Sequence, residues 1–287
     1  MSQFADPKML VDTAWVVAHR SDSNVRLVEV DVDTGGYDQG HIPGAIAWNW
    51  TTQLCDTLQR DIIPHGDFRR LMEEAGIAND TTVILYGDNN NWFAAWGFWQ
   101  LKYYGHNDVR LMNGGRKKWL EEKRPLSTDA PKVQPTTYSA KSPETSIRAK
   151  REDIFSVLEK RSAAQLVDVR SPDEFTGKVI APPGMTETAQ RGGHIPGAAS
   201  IPWAQAVAED GTFKPADALR QLYGGKGVTG DQEVIAYCRI GERSSHTWFV
   251  LKYLLGYKNV RNYDGSWTEW GNLVGAPIER EIAAAAR

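Results

Sequence analysis

Cysteine is scarce here: Cys55 and Cys238 are the two in 287 residues. A disulfide framework is therefore excluded, a thiol-reducing compartment is expected, and any sulfur chemistry must come from a single thiol. Charge of one sign is also lacking, since the net charge is -3. That balance offers no bulk attraction to nucleic acid or to anionic lipid. No stretch stays apolar for the ~18 residues a membrane span needs, and Met1 to Pro7 lack the basic and apolar parts of a secretory signal. A cytoplasmic protein is the expectation. The six histidines show no metal-ligand spacing, so neither metal nor cofactor is expected.

What is present is a repeat. His41-Ile42-Pro43-Gly44-Ala45 returns as His194-Ile195-Pro196-Gly197-Ala198, and Val83-Ile84-Leu85-Tyr86 as Val234-Ile235-Ala236-Tyr237. Leu101-Lys102-Tyr103 matches Leu251-Lys252-Tyr253, and Asn113-Gly114-Gly115 matches Asp264-Gly265-Ser266, in the same order. Collinear matches of this kind indicate duplication of a whole domain. The Pro-, Ser- and Thr-rich stretch after Arg124 reads as the join, giving domains over 1–124 and 148–287 with a linker over 125–147. Within each half, apolar runs at Leu27–Val30, Thr82–Tyr86, Gln165–Val169 and Glu233–Tyr237 read as buried strands. Helical patterns such as Phe68–Ala75 and Thr247–Leu255 lie between them, with Gly256 placed to end the latter. Alternating strands and helices predict an α/β fold, with a parallel sheet flanked by helices in each half. The second half carries an extra stretch, Thr176 to Arg191, read as an irregular loop at the mouth of a site or across a domain interface.

The chemistry concentrates in Tyr237-Cys238-Arg239-Ile240-Gly241-Glu242-Arg243-Ser244. Cys238 follows a buried strand and precedes a helix, where open α/β sheets place ligands. Loop amides, the helix N-terminus and the charges of Arg239 and Arg243 are expected to favour the thiolate. They would lower the thiol from its ordinary pKa of about 8.5 by one or more units. The repeat aligns Cys238 with Gly87, in a loop predicted to keep the backbone while lacking the thiol and both arginines. Cys55 reads as an ordinary packed thiol.

Taken with Leu166-Val167-Asp168-Val169-Arg170 and Asn262 to Trp270, these motifs resemble the two-domain rhodanese family of thiosulfate and 3-mercaptopyruvate sulfurtransferases. The resemblance spans nearly the whole chain and implies two tandem rhodanese-like domains. It makes Cys238 the catalytic cysteine and places Arg239, Ile240, Gly241, Glu242 and Arg243 around the sulfur, with Asp168 and Arg170 supporting. It also implies transfer of the sulfane sulfur of thiosulfate through a persulfide to cyanide or a thiol, by a monomer or weak dimer. The Cys238-Arg239 pair is similar to thiosulfate-preferring members, whereas mercaptopyruvate-preferring ones typically show Cys-Gly-Ser-Gly. Two residues differ from the family's thiosulfate enzymes: Glu242-Arg243 stand where vertebrate ones have neutral residues, and Glu174 stands where several members bind substrate with Arg.

Ser171-Pro172-Asp173-Glu174 reads as a capping box with Pro at the first helical position, which makes Glu174 structural. The two HIPGA histidines read as turn-stabilising, Gly224-Gly225-Lys226-Gly227 as a surface turn, and Trp92, Trp96 and Trp99 as packing. A cysteine-dependent phosphatase needs His before the Cys and Arg six positions after it; here those positions hold Tyr237 and Ser244. A persulfide carrier serving a protein partner stays open, and slow turnover with small acceptors would identify it.

Overall fold

The structure is a computed structural model describing residues 3–184 and 188–280. The chain divides into two units. One is built from Pro7–Glu144 with Val207–Phe213; the other takes Thr145–Ala206, the chain from Lys214, and the N-terminal residues up to Asp6.

In the first unit the strands are β1 (Leu10–Val11), β2 (Val25–Asp31), β3 (Ile46–Asn49), β4 (Cys55–Asp56), β5 (Asp61–Ile62), β6 (Thr82–Tyr86) and β7 (Val109–Met112). In the second they are β8 (Arg148–Ala149), β9 (Gln165–Asp168), β10 (Ala199–Ser200), β11 (Val234–Tyr237) and β12 (Val260–Tyr263). The two main sheets have five strands each, in the orders β1-β7-β6-β2-β3 and β8-β12-β11-β9-β10. Every pairing within them is parallel. The orders coincide strand for strand, so the repeat seen in sequence is a repeat of topology. The central strands β6 and β11 are buried at every residue, as expected of parallel strands covered by helices on both faces. Cys55 and Ile62 pair in a small antiparallel ladder apart from the main sheets.

Both HIPGA turns serve the sheet they follow. The Ile42 N–H donates to the Tyr86 hydroxyl at 3.2 Å, and the Ile195 N–H to the Tyr237 hydroxyl at 3.0 Å. His41 stacks on Tyr37 with ring centroids 3.8 Å apart, and His194 on Phe175 at 3.6 Å. The histidines thus brace turns, as the sequence suggests. Among the tryptophans, Trp96 and Trp99 are buried and meet edge-on at 5.4 Å, which is packing.

Residues 125–144, expected as a linker, run over the first unit and belong to it. His41 and Ser127 exchange both backbone hydrogen bonds, the Thr136 N–H donates to Glu73 O, and the Glu144 N–H to Tyr103 O at 2.7 Å. A stretch without helical or strand periodicity still satisfies its backbone groups by pairing with what lies beneath. Tyr138 from this strip reaches buried His106, whose Nδ1 accepts from the Tyr138 hydroxyl at 3.1 Å while Nε2–H donates to Thr81 O at 2.9 Å. Burial pushes His106 down to about 4 from 6.5, against the raising effect of the Thr81 carbonyl. The folded pKa is the lower one, so this contribution to stability is complete above about pH 6.5 and is lost as the pH falls towards 4. Urea unfolding over that window should show a stability loss that His106→Asn reduces; an unchanged pH slope in the variant would remove His106 from the account.

Candidate active site

β11 delivers Cys238 at its carboxyl end, and the helix Glu242–Phe249 begins four residues later. Gly241 makes that turn with φ 101°, a left-handed conformation that L side chains resist. A Cβ at Gly241 would lie 2.9 Å from Asp264 Cα, so both conformation and space demand glycine. The helix starts earlier than the apolar pattern predicts. Glu242 to Thr247 are polar, yet all are buried, and the apolar periodicity begins only at Trp248. The helix then passes into a π-turn over Val250–Leu254 and ends at Gly256, φ 78°.

Cys238 is fully buried. Its sulfur accepts the Gly241 N–H at 3.1 Å, its thiol donates to Glu242 Oε2 at 3.3 Å, and Ser244 Oγ lies 3.6 Å away. The expected lowering of the thiol pKa is reversed. Burial raises it first and the Glu242 charge second; Arg243 and the Ser244 hydroxyl and N–H pull it down without overcoming them. Burial leads the reversal, and Arg243 faces carboxylates that offset its charge.

Those carboxylates are close. Arg243 gives Nη1 to Glu174 Oε2 at 2.9 Å and Nη2 to Glu174 Oε1 at 3.1 Å, a two-bond fork between groups both more than nine-tenths buried. Its Nε is 3.5 Å from Glu242. Glu174 caps its own helix as predicted: Ser171 Oγ accepts the Glu174 N–H, and Glu174 Oε2 accepts the Ser171 N–H at 3.0 Å. Burial works against the Glu174 charge, yet Arg243 holds its carboxyl below the ordinary value. Glu174 is therefore both a cap and the counter-ion of Arg243.

Asp168 and Arg170 form a second buried pair. Arg170 Nη2 donates to Asp168 Oδ2 and to Gly193 O, both at 2.6 Å, and its guanidinium lies 4.4 Å from the Trp267 ring. These two residues clamp the HIPGA turn and Trp267. Arg239 is 7% exposed, and its carbonyl accepts the N–H and the hydroxyl of Thr268. Ile240 is 7% exposed as well. Among the described residues, no group of three or more His, Cys, Asp or Glu could hold a metal ion.

The insertion Thr176 to Arg191 leaves the helix Pro172–Thr176 at Gly177, φ 80°, and contains no helix or strand among its described residues from there on. Met185, Thr186 and Glu187 lie outside the described residues. At its end Arg191 donates to the carbonyls of Trp270, Gly271, Leu273 and Ala276, fastening the insertion to the turn that follows Ser266–Trp270.

The counterpart in the first unit differs in backbone as well as in side chains. After Gly87, Asn89, Asn90 and Asn91 adopt φ 50°, 53° and 66° in succession, where the cysteine loop has one left-handed residue, Gly241. The Asn91 amide accepts the Gly87 N–H at 3.0 Å and donates to Met112 O at 2.7 Å. A Cβ at Gly87 would sit 2.4 Å from Val30 O. The expectation that this loop keeps the backbone is corrected: an asparagine side chain closes it, and no thiol fits.

The Rhodanese-like domain family matches the chain twice, over residues 12–122 and 155–273. The chain belongs to the rhodanese family. It is 56% identical over 277 residues to a Haloferax volcanii protein named "Putative thiosulfate sulfurtransferase", covering 95% of this chain and 96% of that one. It is 55% identical over 280 residues to the Thermus thermophilus protein named "Sulfur carrier protein TtuD", covering 96% and 98%. The solved structure of the anaerobic ergothioneine biosynthesis enzyme from Chlorobium limicola with trimethyl histidine superposes with a TM-score of 0.87 at 25% identity, covering 99% of this chain and 72% of that one. Both repeats of this chain carry the family fold, and Cys238 stands in the second.

One residue escaped the sequence reading. Ser266 Oγ accepts the Cys238 N–H at 3.0 Å and donates to Tyr263 O at 2.7 Å, anchoring the first residue of the loop. It does so at φ 52°, where the first repeat has Gly115 at φ 57°. The signal was the exchange of Gly for Ser at matched positions: a side chain kept in a left-handed conformation has a reason to be there. Ser266→Ala should leave a buried N–H unpaired and keep the strain, destabilising by about 1–3 kcal/mol. Ser266→Gly loses the same bond but relieves about 1 kcal/mol of left-handed strain. Urea unfolding that ranks the two variants equal would remove the strain argument.

Proposed function

We propose that this rhodanese transfers the sulfane sulfur of thiosulfate through a persulfide on Cys238 to a thiophilic acceptor, cyanide or a thiol, releasing sulfite. The observation that carries the proposal is the position of the Cys238 sulfur: at the end of a central strand, at a helix start, accepting the Gly241 N–H at 3.1 Å. In the first step Sγ attacks the outer sulfur, a new S–S bond forms, the old one breaks, and its electron pair leaves with sulfite. In the second the acceptor attacks the outer sulfur of the persulfide, and the electron pair of that S–S bond returns to Sγ. The Gly241 amide and the start of the helix stabilise anionic charge on the sulfur throughout.

The roles of the two arginines separate. Arg243 is engaged by Glu174 through two hydrogen bonds and acts as the positive half of a buried pair beside the sulfur. Arg239, second in the loop, takes the sulfonate oxygens, in keeping with the Cys-Arg order and with the name carried by the Haloferax relative. Asp168 and Arg170 act through the turn and the tryptophan they hold.

A second reading, a sulfur carrier to a protein acceptor, is favoured by one observation from the structure and one relative. Glu174 and Glu242 offset positive charge around the sulfur, which weakens the attraction for a compact dianion. The Thermus relative is named a sulfur carrier. Repeated turnover with cyanide distinguishes an enzyme from a carrier that is loaded once and cycles slowly.

Intact mass after incubation with thiosulfate should show the gain of one sulfur atom, reversed by cyanide. Cys238→Ser should abolish both the gain and thiocyanate formation with the fold intact, and substantial residual activity in it would sink the assignment. Arg239→Ala should raise KM for thiosulfate by roughly tenfold, the loss of one charge-assisted contact worth ~1.5 kcal/mol, and affect mercaptopyruvate less. Equal losses with both donors would overturn the sulfonate role.

A further inference from the structure

Sulfur transfer through Cys238 leaves one proton to place. The sulfur is enclosed, and its thiol hydrogen points to Glu242 Oε2 at 3.3 Å. The other close groups are donors or already have acceptors. The Gly241 N–H donates to the sulfur, and Ser244 Oγ, 3.6 Å away, has Asn262 Oδ1 at 2.6 Å and Gly241 O at 3.0 Å to take its own proton. Glu242 is itself 2% exposed, with its other oxygen 3.5 Å from Arg243 Nε. A buried carboxylate next to a buried thiol is an unfavourable neighbour for a thiolate, and here it is the acceptor the thiol hydrogen faces.

From this geometry we infer that Glu242 is the proton acceptor of the reaction: its Oε2 takes the Cys238 proton as Sγ attacks a sulfur donor, and returns it when the sulfur has been passed on. The inference rests on the sulfur-transfer reading of the same site. The step balances. The S–H bond breaks as the O–H bond of Glu242 forms, the sulfur pair goes into the new S–S bond, and the donor's old S–S pair leaves with sulfite. After the acceptor removes the outer sulfur, the Glu242 proton moves back to Sγ, restoring thiol and carboxylate. No proton has to cross to solvent in either direction.

The surrounding charges fit this role. Burial and Glu242 both raise the thiol, which favours its protonated form and gives an acceptor within reach a part to play. Arg243, on the same helix, opposes this, but Glu174 from the helix Pro172–Thr176 neutralises it. Arg239 belongs to the same loop. Asp168 and Arg170, from β9 and the residues after it, are paired with each other. Asp264, packed against Gly241 from the end of β12, is paired with Arg148 of β8 at 2.9 Å. His246, further along the helix from Glu242, is pushed down to about 3 by burial and stays neutral.

The test follows the pH dependence of Cys238 alkylation by iodoacetamide in the full-length protein, a reaction that needs no sulfur donor. Intact mass gives the rates, with Cys55 resolved by peptide mapping. With Glu242 as acceptor the proton stays in the site, so the wild-type rate should be nearly flat from about pH 6 to 8. In Glu242→Gln the proton must leave to solvent, and the rate should rise about tenfold per pH unit until the thiol titrates. Glu242→Asp keeps a carboxylate and should stay closer to flat; Gln and Asp behaving alike would assign the effect to packing and overturn the inference. A wild-type rate that climbs with the slope of Glu242→Gln overturns it too. Sulfur loading from thiosulfate is measured over the same range. If no donor loads the protein while the alkylation profiles separate as expected, the sulfur-transfer reading fails and the Cys238–Glu242 proton pair stands.

Discussion

The second unit depends on one constraint, the turn from β11 into a helix within four residues while a sulfur atom is held inside the bend. Three anchors make it tenable. Gly241 supplies the left-handed residue, Ser266 accepts the Cys238 amide, and Asn262 bonds to Ser244, Ser245 and the Gly241 carbonyl from β12. Ser266 and Asn262 come from β12 and the turn after it, so much of the geometry of the bend is inherited from the sheet. In the helix that follows, Glu242 to Ser245 are buried among these bonds, the Cys238 thiol and the Glu174 pair. A buried polar network of this kind is favourable only when nearly every member is paired.

Much of the fold was legible because the chain states it twice. One set of motifs locates strands; two collinear sets locate a domain and its copy, and the matched strand orders bear this out. The position of Cys238 was equally legible, since a buried apolar run followed by Cys, Gly and a helix admits few arrangements. Its electrostatics were not. Arg243 and Glu242 are adjacent in sequence, but Glu174 is 69 residues away, and only the packing of its short helix brings it to Arg243. Charge counted along a loop omits both charge supplied from elsewhere and the burial of the loop itself, and burial is the first reason that the thiol shifts upward. The early start of the helix after Cys238 escaped for a related reason: an apolar periodicity cannot report a helix whose buried face is hydroxyls, an imidazole and an ion pair.

The charges at the site form nested pairs. Asp168 holds Arg170, Glu174 holds Arg243, and Glu242 faces the thiol, each within a few ångströms and each largely out of water. Paired in this way, the groups avoid the several kcal/mol that an isolated buried charge would cost. With burial and the Glu242 charge both raising the thiol, the arrangement restrains the sulfur from ionising. A thiolate held permanently by uncompensated arginines would lack that restraint.

The first repeat shows how such a site closes. A glycine codon lies one base from a cysteine codon, so position 87 could in principle regain a thiol in a single mutational step. The carbonyl of Val30, 2.4 Å from where the new Cβ would stand, blocks that step, and the Asn91 amide already occupies the loop. Several simultaneous changes in β2, the asparagine loop and the Gly114-Gly115 turn would be required before a sulfur atom could be housed there. The same duplicated bend thus encloses an asparagine amide in one copy and a sulfur atom in the other.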